Sequence, residues 1–184
     1  MIIGITGTDG GGKGTVVDYL LQKKGFIHCS ARALLVDEIQ KRGLPVAREN
    51  MRIVANDLRA THGNDYLIIE YKRRTDFDPT KNYVIESVRT IAETDTLKKY
   101  GGLLWAVDAG QHVRYKRIRS RASESDNVTF EEFAKQETLE MNDPDPHGMQ
   151  KDKVMKMADI VLINNGTPEE LFVQVEEALK NYTH

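Results

Sequence analysis

Residues 4–20 read GITGTDGGGKGTVVDYL, and no other stretch of the chain spaces its residues so suggestively for chemistry. Gly7, Gly10, Gly11, Gly12 and Gly14 crowd together, interrupted by Thr8, Asp9 and Lys13. Each glycine weakens regular structure by roughly 0.5–1 kcal/mol relative to alanine, so such density belongs where main chain turns tightly or approaches something closely. Backbone N–H groups of a concave loop, with the positive end of a following helix, bind phosphate oxygens. Lys13 would add a point charge for the outer phosphates. The loop is preceded by an apolar run, MIIGIT, and followed by GKGTVVDYLLQKKG, whose Val16, Leu20 and Leu21 share a helical face. A strand before and a helix after are what make a glycine-rich pattern a phosphate-binding loop. The common form of that loop places Ser or Thr directly after the lysine, whereas here Gly14 comes next and Thr15 follows.

Chemistry at such a loop needs a rigid frame. FIHCS, YVIESV, GLLWAVDA and DIVLIN read as further strands. ARALLVDEIQKRG, ENMRIVANDLRATHG, DYLIIEYKRR, AETDTLKKYG, QHVRYKRIRSR, TFEEFAKQETLEM and TPEELFVQVEEALKNY read as helices. Short apolar runs alternating with longer amphipathic ones predict βαβ units around a parallel sheet. Thr129 stands three residues before Glu132, and Thr167 precedes Pro168 and Glu170, which are capping-box patterns. Gly43 and Gly63 fall where helices should close. QHVRYKRIRSR sets Arg114, Arg117 and Arg121 on one face, either a functional surface or a solvated one.

The 184 residues, 40% hydrophobic and 29% charged, fit one domain spanning residues 1–184. A net charge of −2 argues against a nucleic-acid coat or a membrane surface as partner. The lone cysteine, Cys29, excludes an internal disulfide and suits the cytoplasm. MIIGIT is too short for a signal peptide or a membrane span. Segment 142–153, NDPDPHGMQKDK, groups Asp143, Asp145, His147 and Asp152 and raises the question of a metal. Its spacing fits no EF-hand loop, and the expectation is a solvated, mobile loop.

The GKGT ending resembles adenylate kinases and their nucleoside monophosphate kinase relatives. FIHCSARALLVDEIQKRG is similar to the strand and helix that receive the acceptor in adenylate kinases and archaeal dephospho-CoA kinase-like proteins, and YVIESVR to their third strand. ADIVLINNGTPEELFVQV resembles the last strand and helix of dephospho-CoA kinases and those archaeal relatives. The likeness covers most of the chain and is weakest at residues 142–157. It implies an α/β P-loop NTPase fold: a five-stranded parallel sheet flanked by helices, with a small helical lid. An acceptor-binding helical segment would span about 31–75 and the lid about 114–155.

The resemblance also implies ATP and Mg²⁺, bound by Gly7, Thr8, Asp9, Gly10, Gly11, Gly12, Lys13, Gly14 and Thr15, with Asn165 and Gly166 near the nucleotide. Thr15 would touch the α- or β-phosphate, and Mg²⁺, held largely through water, would find Thr15 and Glu86. Glu86 would act on the metal's water or as a base, where relatives more often carry Asp. Arg89 would clamp the acceptor phosphate, a surface ion pair being the alternative, and Arg117 and Arg121 would close with the lid over the transferring group. Asp9 resembles the acid in the DG-x-GK of thymidylate kinases, which contacts the acceptor sugar. It could equally steady the loop. The relatives' Gly-Asp pair and later arginine are replaced here by Arg32, Ala33 and Val36, so Arg32 would substitute at the acceptor. The expected activity is ATP- and Mg²⁺-dependent phosphoryl transfer to a small nucleotide, a nucleoside or deoxynucleoside monophosphate first. Dephospho-CoA is the alternative, though HCSAR lacks the acid such kinases carry there. A reading of another class is an adenylate kinase-like ATPase switch.

Overall fold

A computed structural model describes residues 1–120 and 129–182, with no account of the Arg48 side chain. The chain runs β1 (Ile2–Gly7), α1 (Lys13–Lys24), β2 (Ile27–Ser30), α2 (Ala31–Lys41), α3 (Arg48–His62), α4 (Tyr66–Thr75) and β3 (Tyr83–Glu86). It continues through α5 (Ile91–Lys99), β4 (Leu103–Asp108), α6 (Gln111–Ser120), α7 (Phe130–Met141), α8 (Lys151–Lys156), β5 (Ile160–Ile163) and α9 (Pro168–Lys180). The strands form one five-stranded sheet in the order β2-β3-β1-β4-β5, and every neighbouring pair is parallel.

Because β1 lies at the centre it is covered on both faces, which is why its sequence is an unbroken apolar run instead of an alternation. Ile3 and Ile5 point to one side, where Val16, Leu20, Trp105, Leu171 and Val175 pack between the sheet, α1 and α9. The other side is filled by Ile68, Ile85, Leu97, Leu104 and Val154. Gly4 sits over that second layer, where a Cβ would come within 2.4 Å of Leu97 Cδ2. A smaller cluster of Ile39, Val54 and Leu58 joins α2 to α3. The buried stripe of α1 is Val16, Val17 and Leu20, with Leu21 only half-buried at its margin.

Local signals explain where the helices begin and end. Both capping boxes, Thr129 with Glu132 and Thr167 with Glu170, are formed. Gly43 and Gly63 close α2 and α3 with positive φ, and the Gly63 N–H donates to Arg59 O. A third box, Thr90 with Glu93, opens α5 at Ile91, one residue before the AETDTLKKYG stretch.

Segment 142–153 departs from expectation. Met149 and Lys151 are buried, and α8 begins within it. The polar side chains that read as solvated are tied to α3 and the turn after it: Asn56 Nδ2 of α3 donates to Asp145 Oδ2 (2.7 Å), and His147 Nδ1 lies 2.8 Å from Oδ1 of Asn64, just past the helix.

Candidate functional site

The loop after β1 is shaped by its neighbours. Register places Gly7 opposite Val107 of β4, so close that a Cβ on Gly7, at φ 132°, would fall 2.0 Å from Val107 O. Gly12 caps α1 at φ 105°, and a Cβ there would meet Asn164 Nδ2 at 2.2 Å. These glycines are required by the fold itself before any ligand is considered. Gly14 is the opposite case, since a Cβ there meets nothing within 4 Å. Thr8 Oγ1 donates to Asp108 Oδ1 (2.6 Å), and Asn164 Nδ2 donates to Gly11 O (2.9 Å), so the ends of β4 and β5 hold the loop from behind.

Lys13, on the first turn of α1, folds back over the loop. Its Nζ donates to Gly7 O (3.0 Å) and Thr8 O (2.7 Å) and lies 3.5 Å from Asp9 Oδ1. Burial disfavours its charge, Lys151 and Arg89 repel it, and Asp9 offsets only part, so the amine falls from 10.5 to about 8. For Asp9, burial raises the carboxyl, but the charges of Lys151, Lys13 and Arg89 outweigh it and hold the group well below the usual carboxylate range. Lys151 Nζ lies 3.2 Å from Asp9 Oδ1 and also pairs with Glu140 of α7. Lysine 151 was not legible in the sequence, because it stands in a segment without periodicity.

Beside the loop, β3 ends at Glu86, and Ser87 follows at φ 69°. A non-glycine residue there costs of order 1 kcal/mol or more, a strain typical of functional turns. The turn leads to Arg89. Its N–H donates to Glu93 Oε2 (2.6 Å), and its carbonyl accepts from Gln150 N (2.9 Å). Glu93 is in turn held by Arg59, whose Nε and Nη2 lie 3.2 and 3.0 Å from Glu93 Oε1. The pair is buried, Arg59 3% and Glu93 0% exposed, and it fixes the Arg89 backbone. The T-x-x-E signal at residues 90–93 was there to be read, but Arg59 as its partner was not. The Arg89 guanidinium rests on Met149 Sδ and has no carboxylate within ion-pair distance among the described residues. Thr6, Gly7, Lys13, Ser87, Arg89 and Lys151 line one narrow cleft.

Glu86 pairs with the neighbouring strand. Its Oε2 meets His28 Nε2 of β2 at 3.0 Å, a contact the sequence reading missed because strand register decides it. Arg32, exposed on the first turn of α2, contacts Met51 Sδ of α3.

On the other side of the loop, Gly10, Gly12, Thr15, Arg117, Asn164 and Pro168 line a cavity of about 230 Å³. Arg117 donates to Asn164 O (2.9 Å) and Gly166 O (3.3 Å), and Asn165 Oδ1 accepts from Gly110 N (2.7 Å). Arg114 does not share this face. It is buried, donates to Ala109 O (2.7 Å) and Asp9 O (3.4 Å), and pairs with Glu137. Arg121 lies outside the described residues. Among the described residues no group of three His, Cys, Asp or Glu is placed to hold a metal, and Asp143, Asp145, His147 and Asp152 do not converge as one. Nor is any described helix long and apolar enough to cross a membrane.

Three comparisons bear on this arrangement. Residues 3–143 match the AAA domain family model. A UPF0200 protein of Thermococcus kodakarensis is 30% identical, over 96% of this chain and 95% of its own. Among solved structures, TT1252 from Thermus thermophilus superposes with a TM-score of 0.65 at 22% identity, covering 100% of this chain and 98% of that one. Shikimate kinase from Bacteroides thetaiotaomicron gives 0.64 at 12% identity, covering 98% and 97%. The glycine-rich loop on the central strand, the strand order and these likenesses agree on a P-loop NTPase fold of the kinase type, and the chain belongs to the AAA domain family and to the UPF0200 proteins.

Proposed function

We propose that the protein transfers a phosphoryl group from ATP to a small phosphorylated acceptor, a nucleoside or deoxynucleoside monophosphate first. The observation that carries this reading is the cleft where Lys13 and Arg89 meet, with an Arg89 guanidinium that has no carboxylate within ion-pair distance among the described residues. A forked donor of that kind suits a phosphate dianion. ATP would lay its phosphates on the N–H groups of Gly10 to Thr15, with the nucleoside in the cavity lined by Arg117, Asn164 and Pro168, next to Asn165 and Gly166 in the chain. The acceptor would sit against α2 and α3, within reach of Arg89 and Arg32, and Arg117 and Arg121 would close from the lid side. In the reaction an acceptor oxygen forms a bond to the γ-phosphorus as the bond to the β,γ-bridging oxygen breaks, leaving ADP. A phosphate oxygen is already deprotonated, so that route needs no base, and catalysis is positioning plus charge neutralisation.

Mg²⁺ fits this donor set only as a hydrated ion on the nucleotide, since Asp9, Glu86 and Asp108 all have protein partners. Thr15 and Glu86 would be its candidate contacts, and its chemistry would be neutralisation of phosphate charge.

One observation favours a second reading. His28 and Glu86, paired at 3.0 Å, form a base beside the cleft of the kind a hydroxyl acceptor such as dephospho-CoA would require. The deciding experiment offers nucleoside monophosphates, deoxynucleoside monophosphates and dephospho-CoA with magnesium ATP and reads the product by mass. A phosphorylated monophosphate is expected. Exclusive phosphorylation of dephospho-CoA would replace it with the second reading, and ATP hydrolysis without any phosphorylated acceptor would point to an ATPase switch.

A further inference from the structure

A lysine is an unexpected residue at position 151. It is 4% exposed, it opens α8 where the helix end disfavours positive charge, and it lies beside Lys13 and Arg89. Burying a third cation there is costly unless anions surround it. Asp9, at 3.2 Å, is shared with Lys13, and Glu140 supplies the second carboxylate. Lys151 Nζ therefore stands across Asp9 from Lys13, on the wall of the cleft that Arg89 also lines.

The elements that bring it there belong to the acceptor side. Residues 143–150 are tied to α3 by Asn56 to Asp145 (2.7 Å) and by Arg59 Nη1 to His147 O (3.5 Å), and to the turn that follows α3 by Asn64 Nδ2 to Pro146 O (3.2 Å) and the His147 ring to Asn64 (2.8 Å). Gln150 N then bonds the carbonyl of Arg89 (2.9 Å), one residue before Lys151. Arg89 and Lys151 are thus held by one frame, anchored to α3 and, through Glu93, to Arg59.

We propose that Lys151 is a third phosphate-binding cation of the transfer cleft, positioned by the acceptor-side helix α3, and that the Asp9 carboxylate competes with the phosphoryl group for Lys13 and Lys151. The inference rests on the phosphoryl-transfer reading above and adds to it the residue that meets the transferred group opposite Lys13. A phosphoryl oxygen entering between the two ammonium groups takes over the role of the Asp9 oxygen. Glu140 keeps Lys151 oriented from α7, and Asp9 is left to the loop.

The test titrates the whole protein with magnesium ATP and with inorganic pyrophosphate by calorimetry, comparing wild type with Lys13→Met, Lys151→Met, Lys151→Arg and Asp9→Asn. Lys151→Met should weaken pyrophosphate binding at least tenfold, with much of it restored in Lys151→Arg. Asp9→Asn should tighten it at least threefold, and the gain should vanish when Lys151→Met is added. If Lys13→Met weakens both ligands while Lys151→Met binds pyrophosphate like wild type, Lys151 is only a structural ion pair and the inference is overturned, with the phosphate-loop reading intact. If wild type binds neither ligand, both readings fail. Should Lys151→Met not fold, the Asp9→Asn arm decides, and unchanged or weaker pyrophosphate binding there overturns the proposal.

Discussion

Lys13 carries the sharpest prediction at the scale of single residues. Its amine titrates near 8 beside Lys151 and Arg89, well below its ordinary 10.5. A bound phosphate favours the ammonium form and moves that value back up. Between about 8 and 10.5 the complex therefore holds more protons than the free protein, so binding takes up a proton and weakens as pH rises through this window. Calorimetry of ATP binding in buffers of different ionisation heat measures the uptake. No uptake inside the window would show that Lys13 does not face the phosphates. Lys13→Ala should leave a folded protein whose turnover falls by ~10²–10³, as loss of one charge-stabilising donor commonly does. Gly14 sits in the same loop under different rules. Its Cβ position is open, so Gly14→Ala should raise stability by about 0.5 kcal/mol, read as a higher midpoint in urea.

Among the elements, the connection of α3 to α5 is the one that stability depends on most visibly. Arg59 and Glu93 are an almost fully buried ion pair, and Glu93 also accepts from the N–H groups of Arg89 and Thr90. Arg59→Met leaves that carboxylate buried without its cation and should cost about 3–5 kcal/mol in urea unfolding. Adding Glu93→Gln should return part of the loss, because a neutral amide is cheaper to leave unpaired. A cost no larger than a surface substitution would show that the pair is not what fixes the Arg89 turn. At the sheet's edge, Val161 and Ile163 of β5 are 54% and 48% exposed, yet the Gln174 amide bonds both the N–H and the C=O of Ile163 at 2.9 Å. It blunts an edge that could otherwise pair with another chain. Gln174→Ala should therefore aggregate faster on warming, as light scattering would record.

At the scale of the whole molecule, the strand order decides where ligands can lie. Placing β1 between β3 and β4 makes its carboxyl end the crevice of the sheet, and the phosphate loop, the Arg89 turn and Asp108 all open there. A ligand bound in that crevice touches elements from both halves of the chain and stabilises only the folded state. Magnesium ATP at a hundredfold its Kd should raise unfolding stability by about 2.7 kcal/mol, and Lys13→Ala should lose most of that gain. Thermal melts with and without nucleotide check both. A melting temperature that ignores nucleotide would remove the crevice as a binding site.

The five strands, the helices that carry caps and the phosphate loop were all legible in the sequence, because each depends on residues close together in the chain. Periodicity marks a buried face, a glycine marks a positive φ, and Thr129 with Glu132 or Thr167 with Glu170 marks a helix start. Long-range partners left no such mark. Glu86 turns to His28 because the register of β2 against β3 brings them together. Arg114 turns inward to Ala109, Asp9 and Glu137 although its spacing groups it with Arg117. Segment 142–153 looked solvated because its residues are polar, and only the tertiary structure supplies the Asn56, Asn64 and Arg59 partners that make burying them affordable. Lys151 shows the same rule most fully. Its charge is tolerated inside the protein only by carboxylates at positions 9 and 140, distant in sequence and adjacent in space.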